Sequence, residues 1–295
     1  MAMKHETLLS DPKLFDDFWL TYFSRRQRKS ILKAAEKGDV NLDYQPNLAV
    51  MVRTKNDRSG LAEIIDHIKN ERENYSGRID LVVVDTESKD GTVELAKAAR
   101  ATVVNIKQKN FSYPRSINLG LQAVKSDVEA TFITVGHARM AARNGLRAAA
   151  RHLNDPEAAA IYADQVPHRN ATTLEKCLYY FVFQVHRRLK KGAHITPRVH
   201  AGLTQGTGTL VRMRAWREHN FNEAYGHGGE DLEWGKWALK TGHRLIYDPV
   251  LAVHHTHGLG FINFYRQVAN WTYIALHKGE FDEEKLRRFR PDLFK

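Results

Sequence analysis

Between Asn47 and Val135, apolar runs of strand length alternate with amphipathic stretches, and this alternation constrains the fold more than any other feature of the chain. "NLAVMVRTKND" is an apolar run that ends in polar residues, and "GLAEIIDHIKNE" after it has helical spacing. "RIDLVVVDTESKDGT" repeats the theme with a β-branched strand ending at Asp85, followed by the helix "VELAKAAR" and the short strand "ATVVNI". "PRSINLGLQAVK", "EATFITV" and "ARNGLRAAARHL" continue it as helix, strand and helix. Strands separated by helices predict a mostly parallel sheet with right-handed crossovers. The strand runs are continuously apolar rather than alternating, so both faces of that sheet are expected to be covered.

The chain of 295 residues accommodates one large domain with helical additions. Residues 47–257 read as one continuous α/β domain, residues 1–46 as an N-terminal helical extension containing "RRQRK", and residues 258–295 as a C-terminal helical tail. The single cysteine, Cys177, excludes an internal disulfide and a cysteine-rich zinc cluster. With no secretory pattern around Asp11, Asp16 and Asp17 and no membrane-length apolar run, a cytoplasmic protein is expected. The net charge of +11 is uneven: residues 176–217 hold nine Lys or Arg and no Asp or Glu, a field that suits an anionic partner. No nucleic-acid module accompanies the charge, so nucleic acid is not the expected partner.

In an open parallel sheet, ligands gather beyond the carboxyl ends of the strands. Three such ends are polar here: "RTKND" at 53–57, "DTESKDGT" at 85–92 and "GHARM" at 136–140. None of the turns carries the glycine fingerprint of dinucleotide enzymes or a Walker lysine motif. Further on, "YGHGGEDLEWGKW" places two glycines before Glu230 and Asp231. Trp234, Trp237 and Ala238 then follow at helical spacing. The acidic pair is therefore expected in the first turn of a helix, where the helix dipole favours negative charge and a carboxylate can serve as a general base.

These segments, in this order, resemble family-2 glycosyltransferases of the GT-A fold. Asp85, Ser88, Asp90, Gly91 and Thr92 match the family's D-D-G-S-x-D-G-T segment, with Thr86 and Glu87 departing. Thr54 and Asn56 match its first-strand P-T-Y-N segment, with Arg53 and Lys55 departing, and Arg115, Asn118 and Gly120 match its helix start. The resemblance implies an inverting transferase that moves a sugar from a nucleoside-diphosphate sugar to a hydroxyl acceptor in polysaccharide or glycolipid assembly. Asp231 would be the base and Glu230 would position the acceptor. Thr54, Asn56, Asp85, Ser88, Arg115, Asn118 and His137 would bind the donor. Gln205, Gly206 and Trp234 would line the acceptor side, and the acceptor would be a glycan or lipid-linked glycan.

One departure bears on the cofactor. Members of the resembled fold usually hold a divalent cation on an Asp-x-Asp motif, whereas this chain has Gly136-His137-Ala138 there and no carboxylate between Ala130 and Asn154. Magnesium prefers oxygen ligands; His137 with His255 and His257 would better suit manganese or a later metal. A diphosphate held without metal by cationic and imidazole donors is the other arrangement, and metal dependence is open at this point. The resemblance extends to rhamnosyltransferases with a comparable His-Ala in place of the acidic motif. The alternative function is a non-catalytic nucleotide-sugar-binding protein of the same fold. Peripheral contact with the inner membrane face and oligomerisation are both compatible with the basic segment and the aromatic tail.

Overall fold

The computed structural model describes residues 44–168, 171–179, 194–196, 206–226 and 228–257, with isolated positions between 262 and 269. The N-terminal extension, most of the basic segment, Gln205 and most of the C-terminal tail lie outside the described residues.

The predicted strand–helix alternation is present. Strand β1 (Leu48–Thr54) leads to helix α1 (Arg58–Glu73), β2 (Ile79–Asp85) to α2 (Thr92–Ala98), and β3 (Thr102–Asn105) to α3 (Tyr113–Gln122) before β4 (Ala130–Val135). β1 pairs in parallel with β2 on one side and β4 on the other, and β3 extends the sheet beyond β2. Every residue of β1 is buried. Leu48, Val50 and Val52 pack with Leu61, Ile64 and Ile68 of α1 on one face, while Ala49 and Met51 pack with Ile117 and Leu121 of α3 on the other. Two covered faces are the physical reason for the unbroken apolar runs.

Beyond β4 the sheet departs from a simple repeat. It continues through β6 (Ala158–Tyr162), β8 (His194–Ile195), β9 (Thr209–Arg212) and β10 (Arg244–Tyr247), in the order β3-β2-β1-β4-β9-β6-β10-β8. β9 runs antiparallel between β4 and β6. β9 is thus a central strand just after Gly206, followed by helix α6 (Met213–Glu218). The helix expected over "ARNGLRAAARHL" is shorter: α4 (Gly145–Ala150) tightens into a 3-10 turn over Arg151–Asn154. The buried Glu71 at the end of α1 accepts from the backbone N–H of Leu146 at 2.9 Å and so caps α4. After α5 (Thr173–Tyr179), the helix predicted to follow the glycine pair is α7 (Glu230–Lys240). A second sheet joins β5 (Arg139–Met140), β11 (Val253–His254) and β7 (Gln165–Val166). Among the described residues no helix is long and apolar enough to cross a membrane.

A buried ion cluster ties the far half together. Asp248, 1% exposed, accepts from Arg151 Nη2, from His152 Nε2 at 2.8 Å and from the Val250 N–H at 3.0 Å. Burial alone would raise its pKa, but the Arg151 charge and then the His152 hydrogen bond hold it down at about 2. A carboxylate with a depressed folded pKa adds stability above its ordinary value, and that stability is lost as pH falls toward about 2. Asp248→Asn leaves Arg151 buried without its counter-charge and is expected to cost about 3–5 kcal/mol in a urea melt at neutral pH. The deficit should shrink as the pH is lowered; an unchanged midpoint would contradict the role of this cluster.

Candidate active site

The site begins where β1 and β2 end. Thr54 and Asp85 are register partners across the two strands, 7% and 2% exposed. Among the described residues, the buried Thr54 Oγ1 and Asp85 Oδ1 have no hydrogen-bond partner, although Asp85 Oδ2 accepts from the Ser88 N–H at 3.0 Å. Buried polar atoms are normally satisfied, so unpartnered oxygens side by side at a strand terminus mark a place built for a ligand donor. Asn56 and Ser88 do different work. The Asn56 N–H donates to Ser88 Oγ at 2.8 Å and Asn56 Oδ1 accepts from the Lys89 N–H at 2.8 Å, which locks the β1 and β2 loops to each other.

The next strand end carries the turn Gly136-His137-Ala138. The Gly136 N–H donates to Arg53 O at 2.9 Å, and a Cβ on residue 136 would lie 2.6 Å from Asp57 Oδ2 and 3.0 Å from Thr54 Oγ1. Glycine is required there because the Asp57 carboxylate and the Thr54 hydroxyl occupy the space. The Asp57 charge acts on His137, and Asp57 Oδ2 is buried with no hydrogen-bond partner among the described residues. The sequence reading passed over Asp57; its signal was that of a helix cap, since Oδ1 accepts from the Gly60 N–H at 3.0 Å.

The second sheet gathers the histidines. Antiparallel pairing of His254 with Arg139 carries the residues after β11 alongside the turn before β5. As a result His137, His255 and His257 offer ring nitrogens that all lie within 4.8 Å of one another. His137 Nε2 and His255 Nε2 are 2.9 Å apart. His255 Nδ1 bonds Gln165 Oε1 at 2.9 Å, which leaves its Nε2 as the lone-pair nitrogen. Burial, then the neighbouring His257, lowers the pKa of His137 to about 4; burial likewise lowers His255 and His257. All three are neutral at physiological pH, the form that ligates metals. The buried Glu175 of α5 accepts from the His257 N–H at 3.0 Å and fixes this segment.

The acidic pair closes the cleft. Gly228 and Gly229 both have positive φ, 136° and 101°, and turn the chain into α7 with Glu230 and Asp231 in its first turn. Asp231 Oδ2 accepts from the Gly206 N–H at 3.1 Å and Oδ1 from the Leu232 N–H at 2.8 Å. Glu230 is 4% exposed and its Oε2 has no partner. Desolvation, then the charge of Asp231, raises the Glu230 pKa to about 8; desolvation also raises Asp231, against the pull of its two N–H donors. Burial and mutual proximity thus favour a proton shared by the pair, and the two N–H donors favour the ionised form of Asp231.

Three expected site residues are used otherwise. Trp234 is 0% exposed, and its indole N–H donates to His219 O at 2.7 Å, so it is core rather than acceptor wall. Asn118 spends its side chain on Phe221 O, Glu223, the Phe221 N–H and the Trp216 indole, and Arg115 pairs with Glu223 at 3.2 Å. Both hold the loop before α7.

Glu230 holds its proton more tightly folded than unfolded. Its contribution to stability is complete below about 4.5 and falls as pH rises toward about 8. Glu230→Gln, which mimics the protonated form, should gain melting temperature over the parent as pH rises from about 5 to about 8. Parallel pH curves for the two proteins would place the proton elsewhere.

Residues 46–273 match the family described as glycosyltransferase like family 2. The O-antigen chain rhamnosyltransferase RfbN of Salmonella typhimurium is 25% identical over 219 residues, covering 71% of this chain. The chain spans 66% of that relative's length. Among solved structures, the mannosyltransferase PcManGT of Pyrobaculum calidifontis, in complex with GDP-Man and Mn2+, superposes with a TM-score of 0.56 at 18% identity. That superposition covers 83% of this chain and 68% of that one. Glucosyl-3-phosphoglycerate synthase of Mycobacterium tuberculosis, in complex with UDP, gives 0.54 at 13% identity over 86% and 84%. These likenesses establish a GT-A glycosyltransferase fold. With the family match spanning well over half of its length, the chain belongs to the family-2-like glycosyltransferases.

Proposed function

We propose that this protein is an inverting glycosyltransferase. It moves a sugar from a nucleoside-diphosphate donor to a hydroxyl of a glycan or lipid-linked glycan, in polysaccharide or glycolipid assembly, with residues 47–257 as the catalytic unit. The observation that carries the reading is one edge of the sheet at which unpartnered oxygens of Thr54 and Asp85 stand beside Arg53, which reaches Gly206 and through it Asp231.

Asp85 Oδ1 and Thr54 Oγ1 accept or exchange hydrogen bonds with the nucleoside. Asp231, ionised and partly exposed, removes the proton from the acceptor hydroxyl. The acceptor oxygen then bonds to the anomeric carbon as the bond to the diphosphate oxygen breaks, and the sugar carbon inverts. The nucleoside diphosphate leaves with the electron pair and the proton passes from Asp231 to solvent. Glu230, as a neutral acid, donates a hydrogen bond to the acceptor instead of competing for its proton. His137 lies next to the donor edge through Gly136 and would contact the diphosphate.

The donor set fits a borderline transition metal better than magnesium. Three neutral imidazoles offer nitrogen, the ligand type such metals take, with their ring nitrogens within 4.8 Å of one another. Bound by His137, His255 and His257, a divalent ion would neutralise charge on the leaving diphosphate. The basic stretch at 176–217 favours an anionic acceptor at the inner membrane face.

Asp231→Asn is expected to lower sugar transfer by about 10²–10⁴-fold while nucleotide binding stays within about twofold; turnover close to that of the parent would refute the base assignment. Calorimetry should detect manganese or zinc binding to the metal-free protein at one ion per chain. His255→Ala should abolish it, and magnesium should give no comparable heat. Equal binding by the variant would remove the histidines from the metal site.

A further inference from the structure

Arg53 occupies a position that the reaction as written leaves unexplained. It is the penultimate residue of a strand whose every residue is buried, and it is itself 8% exposed. A guanidinium in such a place is costly unless its charge is answered and its donors are used. Nη2 donates to Gly206 O at 2.7 Å, and the guanidinium carbon lies 5.5 Å from the centroid of the Tyr113 ring. The groups that answer its charge come from two helices: Glu230 and Asp231 of α7 and Tyr113 of α3. His255, after β11, is neutral, and Arg53 is among the charges that keep it so.

Gly206 is held at both ends of its backbone. Its carbonyl accepts from Arg53 and its N–H donates to Asp231 Oδ2. A Cβ on residue 206 would point between Glu230 Oε1, at 3.6 Å, and Arg53 Nη2, at 3.7 Å. One residue of chain is thus clamped between the donor strand and the acidic helix. Counting charges gives the same connection. Arg53 is positive, and Glu230 and Asp231 would together carry two negative charges; a single proton on the pair makes the buried group of three neutral. The N–H donors on Asp231 favour its ionised form.

We infer that Arg53 is a positioning residue for the transfer proposed above: it fixes the Gly206 peptide that orients the Asp231 carboxylate, and its charge keeps that carboxylate ionised and ready to accept a proton. The inference rests on Asp231 being the base. It differs from the other role open to a buried arginine here, direct binding of the donor diphosphate through its unpartnered Nε.

The test compares Arg53→Met and Arg53→Lys with the parent in the full-length protein. Transfer is followed from about pH 5.5 to about pH 9 as release of nucleoside diphosphate. Affinity is measured for whichever of UDP, GDP or dTDP most raises the parent's melting temperature. Arg53→Met should lose about 100-fold in kcat at neutral pH and recover most of it at the alkaline end, with nucleotide affinity within about twofold. Arg53→Lys keeps the charge but not the reach of the fork, so it should hold the acidic limb in place and lose about tenfold in kcat throughout. A separate reading needs no turnover: the carboxyl carbon-13 signal of Asp231, assigned with Asp231→Asn, should titrate at higher pH in Arg53→Met than in the parent. Should Arg53→Met misfold, Arg53→Gln, equally uncharged, takes its place in both the pH profile and the carbon-13 titration, with the same outcomes expected. Loss of nucleotide affinity with an unmoved pH limb would make Arg53 a phosphate ligand, and a carboxyl signal that titrates identically in parent and Arg53→Met would overturn the inference. If the parent transfers no sugar from any donor while the carboxyl signal still moves, the proposed reaction fails and the electrostatic role of Arg53 stands.

Discussion

A strand buried on both faces has nowhere to place a polar side chain except at its ends, and β1 is such a strand. Its flanking partners β2 and β4 run parallel to it, so all three release their polar residues at the same edge. Thr54 meets Asp85 there because the parallel register pairs them, and Gly136 closes on the same edge through the carbonyl of Arg53. The cleft is a consequence of that alignment. A sheet with the same strands in an alternating arrangement would scatter these groups over two ends.

Charge neutrality is the second constraint on the site. In a medium of low effective dielectric, an unbalanced ion is expelled or neutralised. The acidic pair and Arg53 reach balance with one proton shared between the two carboxyls. The histidines reach it by staying uncharged. Asp57, from an adjacent loop, opposes part of the burial effect on His137.

The same economy of contacts explains why several residues expected at the ligand serve the scaffold. Asn56 and Ser88 join two loops, while Asn118 and Arg115 brace the segment before α7 through Glu223. Trp234 anchors α7 in the core beneath Asp231. Each lies one layer behind the reacting groups, where a change in packing would move them.

The sequence alone determined what depends on neighbours along the chain. Apolar runs bounded by helical spacing specified β1 to β4 and their helices, and two glycines followed by acids and spaced tryptophans specified the start of α7 with Glu230 and Asp231 in its first turn. Motif order along the chain then specified the family. What only the tertiary structure decided depends on pairing between distant segments: β9 inserted antiparallel between β4 and β6, the small sheet that draws His255 and His257 to His137, Asp57 beside that histidine, and Arg53 against Gly206. Such pairings join residues as far apart as Arg53 and Gly206, separated by 153 positions, and short β segments such as β5 and β11, two residues each, have no periodicity of their own to announce them. Their register is set by the hydrogen bonds of the partner strand, so the chemistry that rests on them became visible only once the chain was folded.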